Sequence, residues 1–301
     1  METKRNETGK YRLNRALLTA LLLLWPVLMS GCANQQAADT HLDAGIAFLE
    51  SRQYGAAMKE LLEAEKLHPT HPPVHYYLGI IYHARGLKQE AIQEFQRAIS
   101  LKPDYSDAYN YLGLIYDNAG QYDEAIKNFK KAVANISYET PSYAWNNLGW
   151  CYYKKGDYDS AAAAFTEAVK LDLNNANRAA FENNIGRSLS AKGDADGAIV
   201  HFKRALLFSS DYAEPRYWLG KMYQAQDKKK AALEEYQAFL KYAQANTDLV
   251  EKAKKEVILL TGEIKKEIEI KPIPAQKKEV EQAPAPVKKK KNKKTKQKDD
   301  Y

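Results

Sequence analysis

The sequence predicts an all-α protein: a solenoid of six helix-turn-helix repeats followed by a capping helix. Three observations predict it. One residue frame recurs on Gly45, Gly79, Gly113, Gly149, Gly186 and Gly220, at spacings of 34, 34, 36, 37 and 34. A steady period of that size marks a helical repeat array. Twelve positions after each glycine stands an alanine: Ala57, Ala91, Ala125, Ala161, Ala198 and Ala232. Sixteen positions after it stands Leu61, Phe95, Phe129, Phe165, Phe202 or Tyr236.

The stretch Pro72 to Tyr105 shows what each unit must be. Its first helix is expected over Pro73–Ala84 and its second over Lys88–Leu101. Proline suits a helix start, where the missing N–H costs nothing. Gly86 falls past the end of the first helix, where the chain needs a left-handed turn. Gly79 and Ala91 are small because two helices approach closely there, while Tyr82, Phe95 and Ala98 face inward at helical spacing. Each large aromatic buries roughly 150–250 Å², about 4–6 kcal/mol before entropy is counted. A lone hairpin cannot cover that face, but a stacked neighbour can.

The pattern Leu-Gly-x-x-Tyr, followed at fixed offsets by Gly, Ala, Phe, Ala and Pro, resembles the tetratricopeptide repeat. The likeness covers residues 38–246, divided as 38–71, 72–105, 106–141, 142–178, 179–212 and 213–246. Its departures lie at the ends. Ala44 replaces the usual leucine, and Arg52 and Asp227 replace the turn glycine. Terminal repeats are expected to be atypical.

Residues 1–31 read as a signal peptide. Five basic residues precede the apolar run Ala16–Leu28, and Leu28-Met29-Ser30-Gly31-Cys32 resembles a bacterial lipobox. The run is shorter than the ~20 residues of a membrane span. The resemblance implies that Cys32 becomes an acylated N-terminus and tethers the mature chain to a membrane, followed by a linker over 32–37. Ala33 after the cysteine implies outer-membrane sorting, by likeness to enterobacterial lipoproteins. Cys151 is the only other cysteine. It is expected in the core as a small hydrophobe.

Charge is unevenly placed. The whole chain carries +7, but residues 271–301 hold eleven lysines against four acids, and residues 32–270 are slightly acidic. That argues against nucleic acid as the array's partner. Asp248 suits a helix cap, and Leu249, Ala253, Val257, Leu260 and Ile264 form one stripe. A final helix over 247–269 is therefore expected. The segment 270–301, with its alternating prolines and lysine run, is expected to be a disordered basic tail. It is suited to anionic cell-wall or membrane contact.

No phosphate loop, metal-ligand cluster or nucleophile motif is present, so no catalytic residue, metal or cofactor is expected. His68, His71, His75 and His83 cluster near one turn, but Pro72 and Pro73 interrupt their spacing. In this repeat family the first helix of each unit lines a binding groove. The resemblance therefore implies a protein partner held by Tyr77, Asn110, Tyr111, Asn146, Asn147, Trp150, Tyr153, Asn183, Asn184, Arg187 and Trp218. Asparagine amides can donate to and accept from a peptide backbone at once. The aromatics suit pockets for anchor side chains.

Within the family the chain resembles the type IV pilus biogenesis and stability lipoproteins, which combine a lipobox with six such repeats. The likeness is strongest over Tyr138–Val169, and the Pro- and Lys-rich tail departs from it. It implies assistance to outer-membrane secretin subunits in localisation and assembly. Two other roles fit the same features: a structural link from outer membrane to peptidoglycan, and an adaptor for a cell-wall enzyme.

Overall fold

The computed structural model describes residues 33–243 and 248–270, with side chains placed up to 267. The described residues form helices and connecting turns, with no strand among them. Helix α1 is described over 33–50. It pairs with α2 (Tyr54–Leu67) as the first of six hairpins in register, which continue through α3 (Pro72–Ala84), α4 (Lys88–Leu101), α5 (Ser106–Asn118), α6 (Tyr122–Val133) and α7 (Pro141–Lys154). Then come α8 (Tyr158–Leu171), α9 (Arg178–Lys192), α10 (Ala195–Phe208), α11 (Ala213–Ala225), α12 (Lys229–Tyr242) and α13 (Asp248–Ile270).

The frame explains each hairpin. Every alanine at the twelfth position is fully buried, and so are Leu61, Phe95, Phe129, Phe165 and Phe202 at the sixteenth. The frame glycine lets the two helices of a hairpin meet. A Cβ on Gly113 would lie 2.5 Å from the Phe129 ring, and one on Gly79 would lie 2.9 Å from Phe95. No side chain of normal size fits there without moving a helix. Tyr82, expected inside, is only half-buried and packs at the seam between the first and second hairpin cores.

The turn seven residues after each frame glycine takes a left-handed backbone in all six units. Gly86, Gly120, Gly156 and Gly193 have φ of 78, 73, 81 and 95°. Arg52 and Asp227 hold the same conformation at 57 and 55° despite their Cβ atoms. The terminal units therefore keep the geometry while lacking the residue that favours it.

Two spacings exceed 34 because the chain lengthens between hairpins. Residues 134–140 join α6 to α7, and residues 172–177 join α8 to α9. Both insertions are braced. Asn135 Nδ2 donates to the Asp104 carbonyl at 2.9 Å, and Asp172 accepts from the Asn177 amide at 2.9 Å. Each second helix packs on the next first helix. First helices also meet their successors, α5 with α7 and α9 with α11, which places them on the inner wall of the curve.

At the far end, α13 covers α12, and Val250, Ala253 and Leu260 bury against Tyr217, Tyr236 and Phe239. Val250 rather than Leu249 takes the buried place in that stripe. The stretch 33–37, expected as a linker, is helical and belongs to α1. Its Ala38 is already fully buried, so the helix gains from continuing outward. Cys32, the signal segment and the basic tail lie outside the described residues. Among the described residues no helix is long and apolar enough to cross a membrane.

Candidate functional site

The inner wall is built from the residues just before and after each frame glycine. In α7, α9 and α11 these residues converge on Arg187. Its guanidinium lies 4.7 Å from the Trp150 ring centroid, 5.6 Å from Tyr153 and 5.6 Å from Trp218. It also donates to Glu214 Oε1 at 3.0 Å. The Trp218 indole N–H donates to the same oxygen at 3.3 Å, and the Tyr212 hydroxyl donates to Glu214 Oε2 at 3.2 Å. Burial, with the neighbouring carboxylate, pushes the Tyr212 hydroxyl well above its ordinary range. Three aromatic faces around one guanidinium make a cation–π box spanning three successive hairpins.

The expected asparagine row is present but engaged. Asn147 Nδ2 donates to Asn110 Oδ1 at 3.1 Å, and Asn184 Nδ2 donates to Asn146 Oδ1 at 2.9 Å. These amides link one first helix to the next. Asn183 corrects the expectation outright: it is fully buried, with its Nδ2 on the Tyr212 hydroxyl at 3.4 Å. Asn184 is only 7% exposed. Position three before the glycine turns under α11 in this unit, so its amide cannot reach a ligand lying on the wall.

Tyr77, Asn110, Tyr111, Asn146, Asn147, Trp150, Tyr153, Arg187 and Trp218 are all half-buried on the inner wall. They form two groups. Trp150, Tyr153, Arg187 and Trp218 belong to the box. Tyr77 and Tyr111 join Tyr76 and Tyr105 in a second aromatic group, where Tyr76 meets Tyr77 at 5.0 Å, Tyr105 at 5.2 Å and Tyr111 at 5.6 Å. The two asparagine pairs link α5 to α7 and α7 to α9. Sequence reasoning missed Glu214 and Tyr212. An acid six positions before the frame glycine, with a tyrosine two before that, was the available signal.

Other sequence-marked residues are structural. Cys151 is fully buried, and its Sγ donates to Asp117 Oδ1 at 3.4 Å. Burial and the Asp117 charge push its thiol up to about 12. Asp117 also pairs with Lys154 at 2.7 Å. His75 Nδ1 lies 2.8 Å from Glu94 Oε2 and its Nε2 lies 2.9 Å from the Pro69 carbonyl. Both nitrogens face acceptors, an arrangement that favours the doubly protonated ring. Among the described residues, no group of histidines, cysteines and acids is arranged to hold a metal ion.

Comparison with known proteins gives the family. Tetratricopeptide repeat models match residues 42–106, 104–174 and 186–227. No curated protein sequence matches the chain. Among solved structures, PilF of Pseudomonas aeruginosa superposes with a TM-score of 0.62 at 15% identity, covering 77% of this chain and 99% of PilF. PilW, described as a widely conserved type IV pilus biogenesis factor, gives 0.61 at 21% identity, covering 72% of this chain and 98% of PilW. YrrB, described as a repeat protein with an unusual peptide-binding site, gives 0.54 at 21% identity, covering 65% of this chain and 97% of YrrB. At these identities the likeness is one of fold. With three matches that together span more than half of its length, the chain belongs to the tetratricopeptide repeat family.

Proposed function

We propose that this protein is a non-catalytic scaffold that holds an extended segment of a partner protein along its inner wall. The observation that carries this reading is the line of half-buried aromatics and amides on successive first helices, from Tyr77 to Trp218. Such a surface offers apolar anchor pockets separated by groups able to bond a peptide backbone. The asparagine pairs do not remove that capacity. Each pair uses one N–H and one carbonyl oxygen, and an amide has a second N–H and a second lone pair.

In this reading Cys32 is acylated and fixes the scaffold to the outer membrane, facing the periplasm. Several acyl chains make a firm anchor, at ~0.8 kcal/mol per buried CH₂. The fold likeness to PilF and PilW, together with the lipobox-like residues, favours help in the localisation and assembly of a type IV pilus secretin. The basic tail would add contact with anionic cell wall.

The test compares wild-type cells with Cys32→Ala cells by membrane fractionation and a blot for high-mass secretin multimers. Loss or relocation of the multimers together with the lipid is expected. Normal multimers in cells whose protein has left the membrane would remove the secretin role. Asn147→Ala with Asn184→Ala should weaken the partner and leave helicity unchanged. Unaltered partner affinity would exclude the asparagines as gripping groups.

A further inference from the structure

The repeat frame places chemically similar groups at two points of the wall, and only one of them is filled from within. In the sixth unit Glu214 stands six positions before the frame glycine, Tyr212 eight before and Trp218 two before. Arg187, one position after the preceding frame glycine, donates to Glu214. In the third unit Asp107, Tyr105 and Tyr111 occupy the same three positions. The position matching Arg187 holds Ile80. The carboxylate is therefore retained, while the position that supplies the cation in the sixth unit holds an apolar residue.

The surroundings of Asp107 fit that reading. Asp107 shares its surroundings with Tyr138 and Lys102, and burial raises its pKa although the Lys102 charge opposes that. Its charge acts on Tyr76, Tyr77, Tyr105 and Tyr111. It opens on a surface cleft lined by Asp104, Tyr105, Tyr138, Glu139 and Lys102. The acids in that lining, with Asp107, outnumber the single lysine. Lys102 is exposed and lies over the Tyr105 ring at 5.0 Å. The inserted segment 134–140 forms one side of the cleft. Its anchor, Asn135 on the Asp104 carbonyl, holds that side in place before any ligand arrives.

We propose that this cleft binds a lysine or arginine side chain of the partner's extended segment, with Asp107 as counter-charge and Tyr105 and Tyr138 as walls. The proposal rests on the groove reading above and names the chemistry it selects. Tyrosine faces accept the aliphatic stem and attract the charged head. A carboxylate already partly removed from water interacts more strongly with a cation than an exposed one does.

The test uses the full chain carrying ¹³C-labelled tyrosine and ¹⁵N-labelled tryptophan. It is titrated at low salt with the capped peptide Ala-Ser-Ala-Arg-Ala-Ser-Ala and with its glutamate counterpart. The arginine peptide should shift Tyr105 and Tyr138 and bind at least tenfold more tightly than the glutamate peptide. Asp107→Asn should weaken it about tenfold, with helicity checked by circular dichroism. Ile80→Arg supplies in cis the cation that Arg187 supplies elsewhere, and should block the peptide without touching Asp107.

Equal binding of the two peptides, or no effect of either variant, overturns the proposal. If the arginine peptide moves only the Trp150 and Trp218 signals, the Asp107 site falls while the groove reading stands. If no signal moves with either peptide, the cation site falls, and the groove is judged by its asparagine variants and its natural partner. A zero-length carbodiimide cross-link from a tail lysine to Asp107 in the chain alone would make the tail the occupant and overturn the partner assignment.

Discussion

His75 makes the stability of the second hairpin depend on pH, with a sign that its geometry dictates. The imidazole is 3% exposed and sits between the Glu94 carboxylate and the Pro69 carbonyl. The sixth hairpin repeats the arrangement with a permanent cation. There Arg216 donates to Glu235 at 3.3 Å and to the Ser210 carbonyl at 3.0 Å, at the same sequence offsets. Burial opposes the charge on His75, but its bonds to Glu94 and Pro69 outweigh burial and raise its pKa above the ordinary 6.5. A group with a raised folded-state pKa contributes fully below its unfolded pKa. That contribution fades as pH rises through the folded value. Deprotonation removes one charged hydrogen bond and leaves a lone pair facing a buried acceptor, a loss of about 2 kcal/mol.

His71 works in the opposite sense. Burial, with His68 and His75 nearby, lowers its pKa, so its contribution is lost as pH falls. The clean measurement is therefore a difference. Urea unfolding of wild type and of His75→Arg is followed by circular dichroism from pH 5.5 to 9, with hydrogen exchange on α3 and α4. Wild type should lose about 2 kcal/mol relative to the arginine variant across the upper part of that range. Glu94→Gln should be weaker than wild type at low pH and converge with it at high pH. If wild type and His75→Arg keep a constant difference throughout, His75 is not a buried cation and the reasoning fails.

Three further outcomes follow from the packing. Arg52→Gly and Asp227→Gly relieve a left-handed backbone and should each raise unfolding stability by about 1 kcal/mol, while Gly156→Ala should lower it by a similar amount; calorimetry checks the signs. Gly113→Ala drives a methyl into the Phe129 ring and should cost about 1–3 kcal/mol. Gly45→Ala should cost less, because the nearest atom, Leu61 Cγ, stands 2.8 Å away against 2.5 Å for the Phe129 ring, and equal losses would contradict this account. The Cys151 thiol should resist alkylation at pH 8 in a Cys32→Ala chain and react only on unfolding; rapid labelling of the folded protein would show that the site is not buried as described.

How much of the molecule was legible beforehand differs by the kind of contact. Gly79 meets Phe95, and Gly113 meets Phe129, at a fixed separation within one hairpin. Helix geometry and a tight turn leave one way to satisfy that spacing, so the periodicity already implied the fold, the core alanines and the left-handed turns. Arg52 and Asp227 belong to the same class, since the frame located the turn even where glycine was absent.

Contacts between hairpins were not legible in this way. Whether Asn183 faces the wall or turns under Tyr212 depends on how α9 rotates against α11. That rotation is set by the longer junction 172–177 and by the packing of Phe181 and Ile185 on α8. The meeting of Arg187 with Trp150, Tyr153 and Trp218 likewise joins three units through rotamers that no spacing encodes. Sequence alone determined the repeat, its register and its core, because those contacts are local and periodic. The tertiary structure alone decided which wall residues pair with one another and which face a ligand. Those contacts depend on the relative rotation of whole hairpins, and a few degrees there exchange one side chain's partner for another.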